Sequence, residues 1–143
     1  TDIAAALGLH QLKKAHAFQQ RRAAIAARYE AAFSGLPLIS APMPPAGELH
    51  AWHLYAIRLA EGAGIPRDRF IERLYALGIG CSVHYIPLHL QPYWRDRYAL
   101  RAADFPASQQ AYEQMLSLPV YSRMTDADAQ RVIAAVRGLL APA

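Results

Sequence analysis

The sequence predicts an α+β domain of two layers, in which helices pack on one face of a three-stranded sheet. Helical periodicity opens and closes the chain, and three short segments rich in branched and aromatic residues lie between. Proline and glycine clusters separate these segments. With 143 residues, 54% of them hydrophobic and 18% charged, the chain is long enough to bury a core and too apolar to be disordered.

The first predicted element is a long amphipathic helix from about Asp2 to Phe33, which no proline interrupts. Its apolar residues recur mostly at steps of three, four or seven and therefore share one stripe. The members of the stripe are Ile3, Leu7, Leu12, Ala15, Phe18, Ile25, Tyr29 and Phe33. Because a small domain cannot cover so long a stripe, we expect part of it to meet a partner or another lobe. We therefore divide the chain into an interlobe helix, residues 1–34, and a small α+β domain, residues 35–143.

The later elements follow from apolar segments bounded by proline and glycine. The prolines between residues 36 and 49 argue against a central strand there. The predicted elements are a strand over 50–59, a helix over 66–77, a strand over 79–84, an irregular loop over 85–93, a short helical turn over 93–98, a helix from 106, a strand over 117–121 and a helix over 125–140. Thr125 and Asp128 form a capping-box pattern before the last helix. The predicted buried stripe of that helix is Ala129, Val132, Ile133, Val136 and Leu140.

Two side chains of the strand over 50–59 are candidates for a site. Alternate residues of a strand share a face, so His53 and Tyr55 fall on one face and Trp52 falls on the other. Both faces are largely apolar, which predicts a central strand. Core packing is the more ordinary role for a histidine and a tyrosine in such a strand.

Composition excludes several functional classes. No apolar run approaches the length of a membrane span, and the chain opens without the pattern of a signal peptide. The single cysteine, Cys81, rules out an internal disulfide and fits a reducing compartment, so we expect a cytoplasmic protein without a membrane partner. The net charge of +4 is a mild excess concentrated in the first helix, and we expect no nucleic-acid partner.

The candidate functional loop follows the strand over 79–84. It gathers His84, Tyr85, His89, Gln91 and Tyr93 within a proline-punctuated segment. Polar and aromatic side chains that directly follow a buried strand are typical of a binding or catalytic site. A lone histidine is more often structural, but this neighbourhood favours a loop that faces a ligand.

Other chemistries lack a supporting pattern. Cys81 and His84 are an odd number of positions apart in a predicted strand, so they point to opposite faces and are not predicted to share a metal. No Gly-x-Ser-x-Gly segment marks a serine nucleophile. No glycine-rich phosphate loop is present either. We therefore predict neither a metal site nor a catalytic nucleophile in this chain.

Four motifs together resemble the C-terminal region of the DegT/DnrJ/StrS family of sugar aminotransferases. They cover nearly the whole chain in the family's order and with similar spacing. The motifs are TDIAAALGLHQLKK at 1–14, HAWHLYAIRL at 50–59, GIGCSVHYIPLHLQPYW at 78–94 and LSLPVYSRMTDADAQRVI at 116–133. The resemblance implies the small C-terminal domain of a fold-type I enzyme, with a three-stranded, mostly antiparallel sheet.

The resemblance also implies a reaction. Members of this family depend on pyridoxal 5′-phosphate (PLP) and transfer an amino group, usually from glutamate, to a keto sugar linked to a nucleotide. The products feed lipopolysaccharide, glycan or antibiotic-sugar pathways. The family implies a homodimer with the active site at the subunit interface, and the likeness is greatest to members that act on UDP-linked 4-keto sugars.

The cofactor lysine of the family has no counterpart among these residues. Lys13 and Lys14 are the only lysines, and neither matches the family's lysine motif, which lies upstream of Thr1. The Schiff base with PLP needs a desolvated amine, and a polar helix does not supply one. The expectation is therefore a small lobe that is inactive alone and contains no catalytic residue of its own.

The family's turn that faces the active site corresponds to His84 and Tyr85, with His89 following. These three residues, together with His53 and Tyr55, are our predicted contacts to the cofactor or the sugar nucleotide. Three alternatives stay open. Some relatives carry histidine in place of the lysine and act as sugar dehydrases; a non-enzymatic module could dimerise through the first helix; and a basic helix could bind nucleic acid.

Overall fold

The computed structural model describes residues 1–40 and 42–140. Ala41 and residues 141–143, which fall within the predicted small domain, lie outside the described residues. The α-helices are α1 (Asp2–Leu12), α2 (Ala15–Phe33), α3 (Arg67–Ala76), α4 (Pro92–Tyr98), α5 (Pro106–Gln114) and α6 (Asp126–Leu140). The strands are β1 (Leu38–Ser40), β2 (Tyr55–Leu59) and β3 (Met115–Leu118).

The three strands form one antiparallel sheet in the order β1-β2-β3. Leu38 lies opposite Leu59, and Tyr55 lies opposite Leu118. This arrangement confirms the predicted α+β class, the antiparallel sheet and the central position of the strand that contains Tyr55. One face of the sheet packs against the helices of the core, and the opposite face carries an open groove.

One predicted strand is wrong and an unpredicted one replaces it. Over 79–84 the described chain forms only a single bridge, in which Ser82 exchanges two backbone hydrogen bonds with Ser117 (3.1 and 2.9 Å). The third strand is instead β1, in the region that we predicted to be a connector. Proline is tolerated beside an edge strand, and β1 is an edge strand that begins directly after Pro37.

The predicted long helix is two helices. Lys14 N donates to Gln11 O (2.9 Å), which is a bond to the third preceding residue, and this tighter turn separates α1 from α2. Against the described part of the chain, α1 buries no side chain. The second helix supplies four side chains to the core, namely Ile25, Ala26, Tyr29 and Phe33.

The core lies between one face of the sheet and the helices α2, α3 and α6. Tyr55, Ile57 and Leu59 alternate along β2 and point into it. The predicted stripe of α6 is confirmed, since all five of its members are buried. The predicted capping box is confirmed as well: Thr125 N donates to Asp128 Oδ2 (3.0 Å), and Asp128 N donates to Thr125 Oγ1 (3.1 Å). Among the described helices, none is both long and apolar enough to cross a membrane.

Candidate functional site

An open groove of about 490 Å³ lies on the face of the sheet opposite the core. Leu116 and Leu118 of β3 point into the core, so the intervening Ser117 stands on the other face. The predicted functional loop runs across this face beside Ser117. The residues that line the groove are Leu54, Ser82, Val83, His84, Tyr85, Ile86, Gln91 and Ser117.

His84 is attached to the sheet through its ring. Its Nε2 lies 3.0 Å from the Oγ of Ser117, and Ser117 is only 4% exposed. The bridge between Ser82 and Ser117 brings the loop to this position, because Ser82 and His84 are two residues apart and Ser117 is their common neighbour. Nδ1, the other ring nitrogen of His84, has no hydrogen-bond partner among the described residues.

Tyr85 is the most exposed large side chain of the groove, at 99%. Its neighbours are held more firmly, since Gln91 Nε2 donates to the backbone oxygen of Ile86 (3.4 Å) across the loop. The groove therefore presents a phenol, an imidazole, a carboxamide and two hydroxyl groups. All of these side chains can donate hydrogen bonds without carrying a permanent charge.

His89 lies away from the groove. It is 4% exposed, its ring stacks on Phe105 with a centroid distance of 5.0 Å and an interplanar angle of 15°, and its Nε2 lies 2.9 Å from Gln109 Oε1. Gln109 Nε2 in turn donates to Glu113 Oε1 (2.6 Å). A carboxylate only accepts, so the amide nitrogen of Gln109 faces Glu113 and its oxygen faces His89. His89 must therefore carry a proton on Nε2.

A second cavity of about 490 Å³ adjoins His89 and is mostly apolar. It lies on the side of the loop that faces α4 and α5. The residues that line it are Pro87, Leu88, His89, Trp94, Leu100, Phe105 and Ser108. The loop thus separates two cavities, with His84 on one side and His89 on the other. Tyr93 lines neither cavity and packs edge-on against Trp94 (5.1 Å).

The structure does not bring His53 or Tyr55 into the groove. Tyr55 is fully buried in the core, where its hydroxyl donates to Glu30 Oε2 (3.2 Å). Burial and then the nearby Glu30 carboxylate raise the pKa of Tyr55 far above its usual value. His53 is exposed and does not line the groove, whereas Leu54 does.

Tyr55 is on the face of β2 that packs into the core, and the position of His53 is explained by the turn at Trp52. Its φ of +46° is left-handed, so the chain is not extended there and β2 begins only at Tyr55. His50 stabilises the turn, because its Nδ1 accepts from Trp52 N (2.9 Å). The predicted alternation of faces therefore does not extend back to residues 50–54, and Trp52 is buried with Tyr55 (ring centroids 5.8 Å apart).

Sequence reasoning missed Ser117 and Gln109, which hold the two histidines. Ser117 was predicted only as the start of a strand, and Gln109 was part of a predicted helix without a role. A serine between two leucines in a predicted strand is a signal that the sequence contains. A partner 33 positions away is not visible in any local pattern.

Other reactive groups of the described chain stand apart from the groove. Burial raises the pKa of the Cys81 thiol to about 11, which leaves it protonated and a weak nucleophile near neutral pH. Lys13 and Lys14 are exposed at the turn between α1 and α2. Among residues 1–40 and 42–140, no three histidine, cysteine or acidic side chains come together as metal ligands.

The chain is similar to known proteins over nearly its whole length. Residues 1–137 match the model of the DegT/DnrJ/EryC1/StrS aminotransferase family. The spore coat polysaccharide biosynthesis protein SpsC of Bacillus subtilis is 43% identical over 141 residues, which are 97% of this chain and 36% of SpsC.

Solved structures show the same likeness. The aminotransferase TlmJ of Streptoalloteichus hindustanus has a TM-score of 0.82 at 32% identity, over 96% of this chain and 36% of TlmJ. The putative sugar aminotransferase Spr1654 of Streptococcus pneumoniae, in its PLP form, has a TM-score of 0.86 at 27% identity, over 97% of this chain and 35% of Spr1654. The chain thus spans about a third of the length of the relatives it matches. It belongs to the DegT/DnrJ/EryC1/StrS aminotransferase family.

Proposed function

We propose that this chain is the C-terminal part of a PLP-dependent aminotransferase that moves an amino group from glutamate to a nucleotide-linked keto sugar. The observation that carries the proposal is the family match over residues 1–137. The sugar and the cofactor are supported by relatives, since Spr1654 is described as a putative sugar aminotransferase with a PLP form and SpsC is named for polysaccharide biosynthesis. The product would then be an amino sugar for a surface glycan.

PLP supplies an electron sink for amino-group transfer when it is bound. The residues described here suit only the periphery of such a cofactor. Lys13 and Lys14 are exposed, and nothing around them would desolvate an amine. We therefore place the cofactor lysine outside these 143 residues and expect the chain alone to be inactive.

The groove is our proposed contribution of this chain to the substrate site. Its donors, among them His84, Tyr85 and Gln91, suit the hydroxyl groups of a sugar or the oxygen atoms of a diphosphate. No arginine lines the groove among the described residues, so the site offers directed hydrogen bonds and little fixed charge. Such a site can orient a nucleotide sugar while other parts of the protein neutralise its phosphates.

The exposed apolar residues of α1 support the proposed division into an interlobe helix, residues 1–34, and a small domain, residues 35–143. Four large apolar side chains of α1 are between 63% and 77% exposed. They are Ile3, Leu7, Leu9 and Leu12. We expect another part of the polypeptide, or a second subunit of a homodimer, to cover them. A cytoplasmic location fits the single free thiol of Cys81.

The test uses the whole polypeptide that carries this sequence. The purified protein is expected to be yellow and to convert UDP-linked 4-keto sugars to amino sugars when glutamate is added, as followed by mass spectrometry. The 143-residue chain alone should do neither. Loss of a sugar oxygen in place of amino transfer would assign a dehydrase, and no PLP absorbance with no turnover would overturn the enzymatic proposal.

The groove is tested in the same assay by two variants. His84→Ala and Tyr85→Phe should each raise the KM for the nucleotide sugar, because each removes a hydrogen-bond donor worth about 1 kcal/mol or a few-fold in affinity. Tyr75→Phe is the matched control, since Tyr75 is exposed on α3 and lines neither cavity. Unchanged kinetics in both groove variants would remove the groove from the substrate site while leaving the reaction itself intact.

A further inference from the structure

Ser117 was not among the predicted site residues, yet its surroundings are tightly constrained. Both of its backbone groups bond to Ser82, with distances of 2.9 and 3.1 Å. On the other side it lies opposite Ala56 of the central strand. Its side chain is therefore fixed on the groove face of the sheet, at 4% exposure, with the Oγ 3.0 Å from His84 Nε2.

We propose that Ser117 is a positioning residue that orients the His84 imidazole, so that Nδ1–H of His84 donates to an anionic oxygen of the ligand in the groove. This inference rests on the proposed substrate site and names the atom that recognises a phosphate oxygen of the substrate. Ser117 itself does not contact the ligand.

The hydroxyl of Ser117 suits this task because it can donate or accept. When it donates to the Nε2 lone pair of His84, the neutral ring must carry its proton on Nδ1. When the ring is a cation, Nε2–H donates to the Oγ and Nδ1 still carries a proton. In these two states the nitrogen left for the ligand is a donor, whereas a neutral ring that donates Nε2–H to the Oγ would leave Nδ1 as an acceptor. An anionic oxygen selects the states with a proton on Nδ1, since it cannot donate a hydrogen bond.

Burial of Ser117 makes the arrangement specific. Water has little access to a side chain that is 4% exposed, so no solvent molecule competes readily for the same imidazole nitrogen. Without the hydroxyl, the ring of His84 would turn about its χ angles and sample both tautomers. Immobilising one such side chain on binding costs about 0.5–1.5 kcal/mol, which corresponds to an affinity about two- to tenfold weaker.

The first test measures the tautomer directly in the whole polypeptide that carries this sequence. The ¹⁵N shifts of the His84 ring nitrogens distinguish a protonated from an unprotonated nitrogen. With inorganic pyrophosphate as the probe, we expect Nδ1 to be protonated and Nε2 to be the acceptor. Ser117→Ala should give a mixture of tautomers, and Ser117→Thr, which keeps a hydroxyl, should restore the single form. A wild-type ring protonated on Nε2 alone, with or without pyrophosphate, would overturn the proposal.

The second test uses the whole polypeptide and separates positioning from folding. Ser117→Ala should raise the KM for the nucleotide sugar about two- to tenfold, while the half-reaction with glutamate alone keeps its rate. Ser117→Thr should recover most of the loss. The control is Ser34→Ala, an exposed serine after α2. Equal losses in both half-reactions would show a merely structural role for Ser117. If the whole polypeptide has no aminotransferase activity, the proposed function fails, whereas the tautomer test still decides the role of Ser117.

Discussion

Removal of the Gln109 side chain is expected to destabilise the predicted functional loop through His89. Gln109→Ala deletes the acceptor that lies 2.9 Å from His89 Nε2. His89 is 4% exposed, so its N–H would be left buried and without a partner, which costs about 1–3 kcal/mol. We expect the lower half of this range, about 1–2 kcal/mol, because a water molecule that enters the space of the lost side chain would recover part of the bond.

The same helix offers a matched control. Gln110 neighbours Gln109 on α5 and is exposed, so Gln110→Ala changes the helix propensity by the same amount without touching His89. The bond from Gln109 to the exposed Glu113 adds only about 0.2–0.5 kcal/mol as a pair four residues apart. The difference between the two variants therefore isolates the bond to His89.

Urea unfolding gives the free energy of unfolding of each variant, and hydrogen exchange of the backbone amides over residues 84–91 shows where the change occurs. We expect Gln109→Ala to unfold at a lower urea concentration than Gln110→Ala and to exchange faster in this segment. Equal free energies for the two variants would refute the reasoning. Glu113→Gln adds a second check, because Gln109 could then flip and the ¹⁵N spectrum of His89 should show both tautomers in place of one.

Two further predictions concern the scaffold. Val136 is fully buried on α6, so Val136→Ala should lower the free energy of unfolding by about 2 kcal/mol, whereas Val83→Ala, at 48% exposure, should change it little in the same urea titration. Arg21 and then Arg28 hold the pKa of Asp126 below its usual value, so its contribution to stability is present above the unfolded pKa and is lost as the pH falls through the folded pKa. Asp126→Asn should therefore lower the melting temperature near neutral pH, and the difference from wild type should vanish in strong acid; a difference that persists there would contradict the ion-pair explanation.

Local sequence patterns were sufficient to predict those features of the fold that depend on a single helix. The stripe of α6 is buried as predicted, because a helix that packs along its whole length keeps a 3.6-residue period. The capping box at Thr125 is equally local, since its partners are three residues apart. Both features depend on residues that are neighbours in the sequence.

Pairing between strands that are distant in the sequence could not be predicted from local patterns. The segment over 79–84 has the composition of a strand, yet only Ser82 finds a partner on the edge of β3. The short β1 was missed because its three residues stand between prolines, and an edge strand needs hydrogen bonds on only one side. Strand pairing depends on what lies beside a segment in space, and the sequence pattern does not contain this information.

The candidate site shows the same limit. His84 and Tyr85 line the groove. Both the family resemblance and the position of the loop after a predicted strand had pointed to these two residues. Tyr55 does not line the groove, because the face of β2 that it shares with Ile57 and Leu59 is the face that packs into the core. The partners of the histidines are 33 and 20 residues away, and only the fold brings them together.

The predicted functional loop is held at two points by different elements, and this arrangement would have a consequence for the proposed binding of a ligand. Ser117 of the sheet fixes His84, and Gln109 of α5 fixes His89. Tyr85 lies between these anchors and is 99% exposed, so it is the group whose conformation a ligand would set. A ligand would then order one side chain and not a whole loop, which limits the entropic cost to about 0.5–1.5 kcal/mol. We therefore expect the two anchors to favour binding at the proposed site without contacting the ligand, because they order the loop before a ligand arrives.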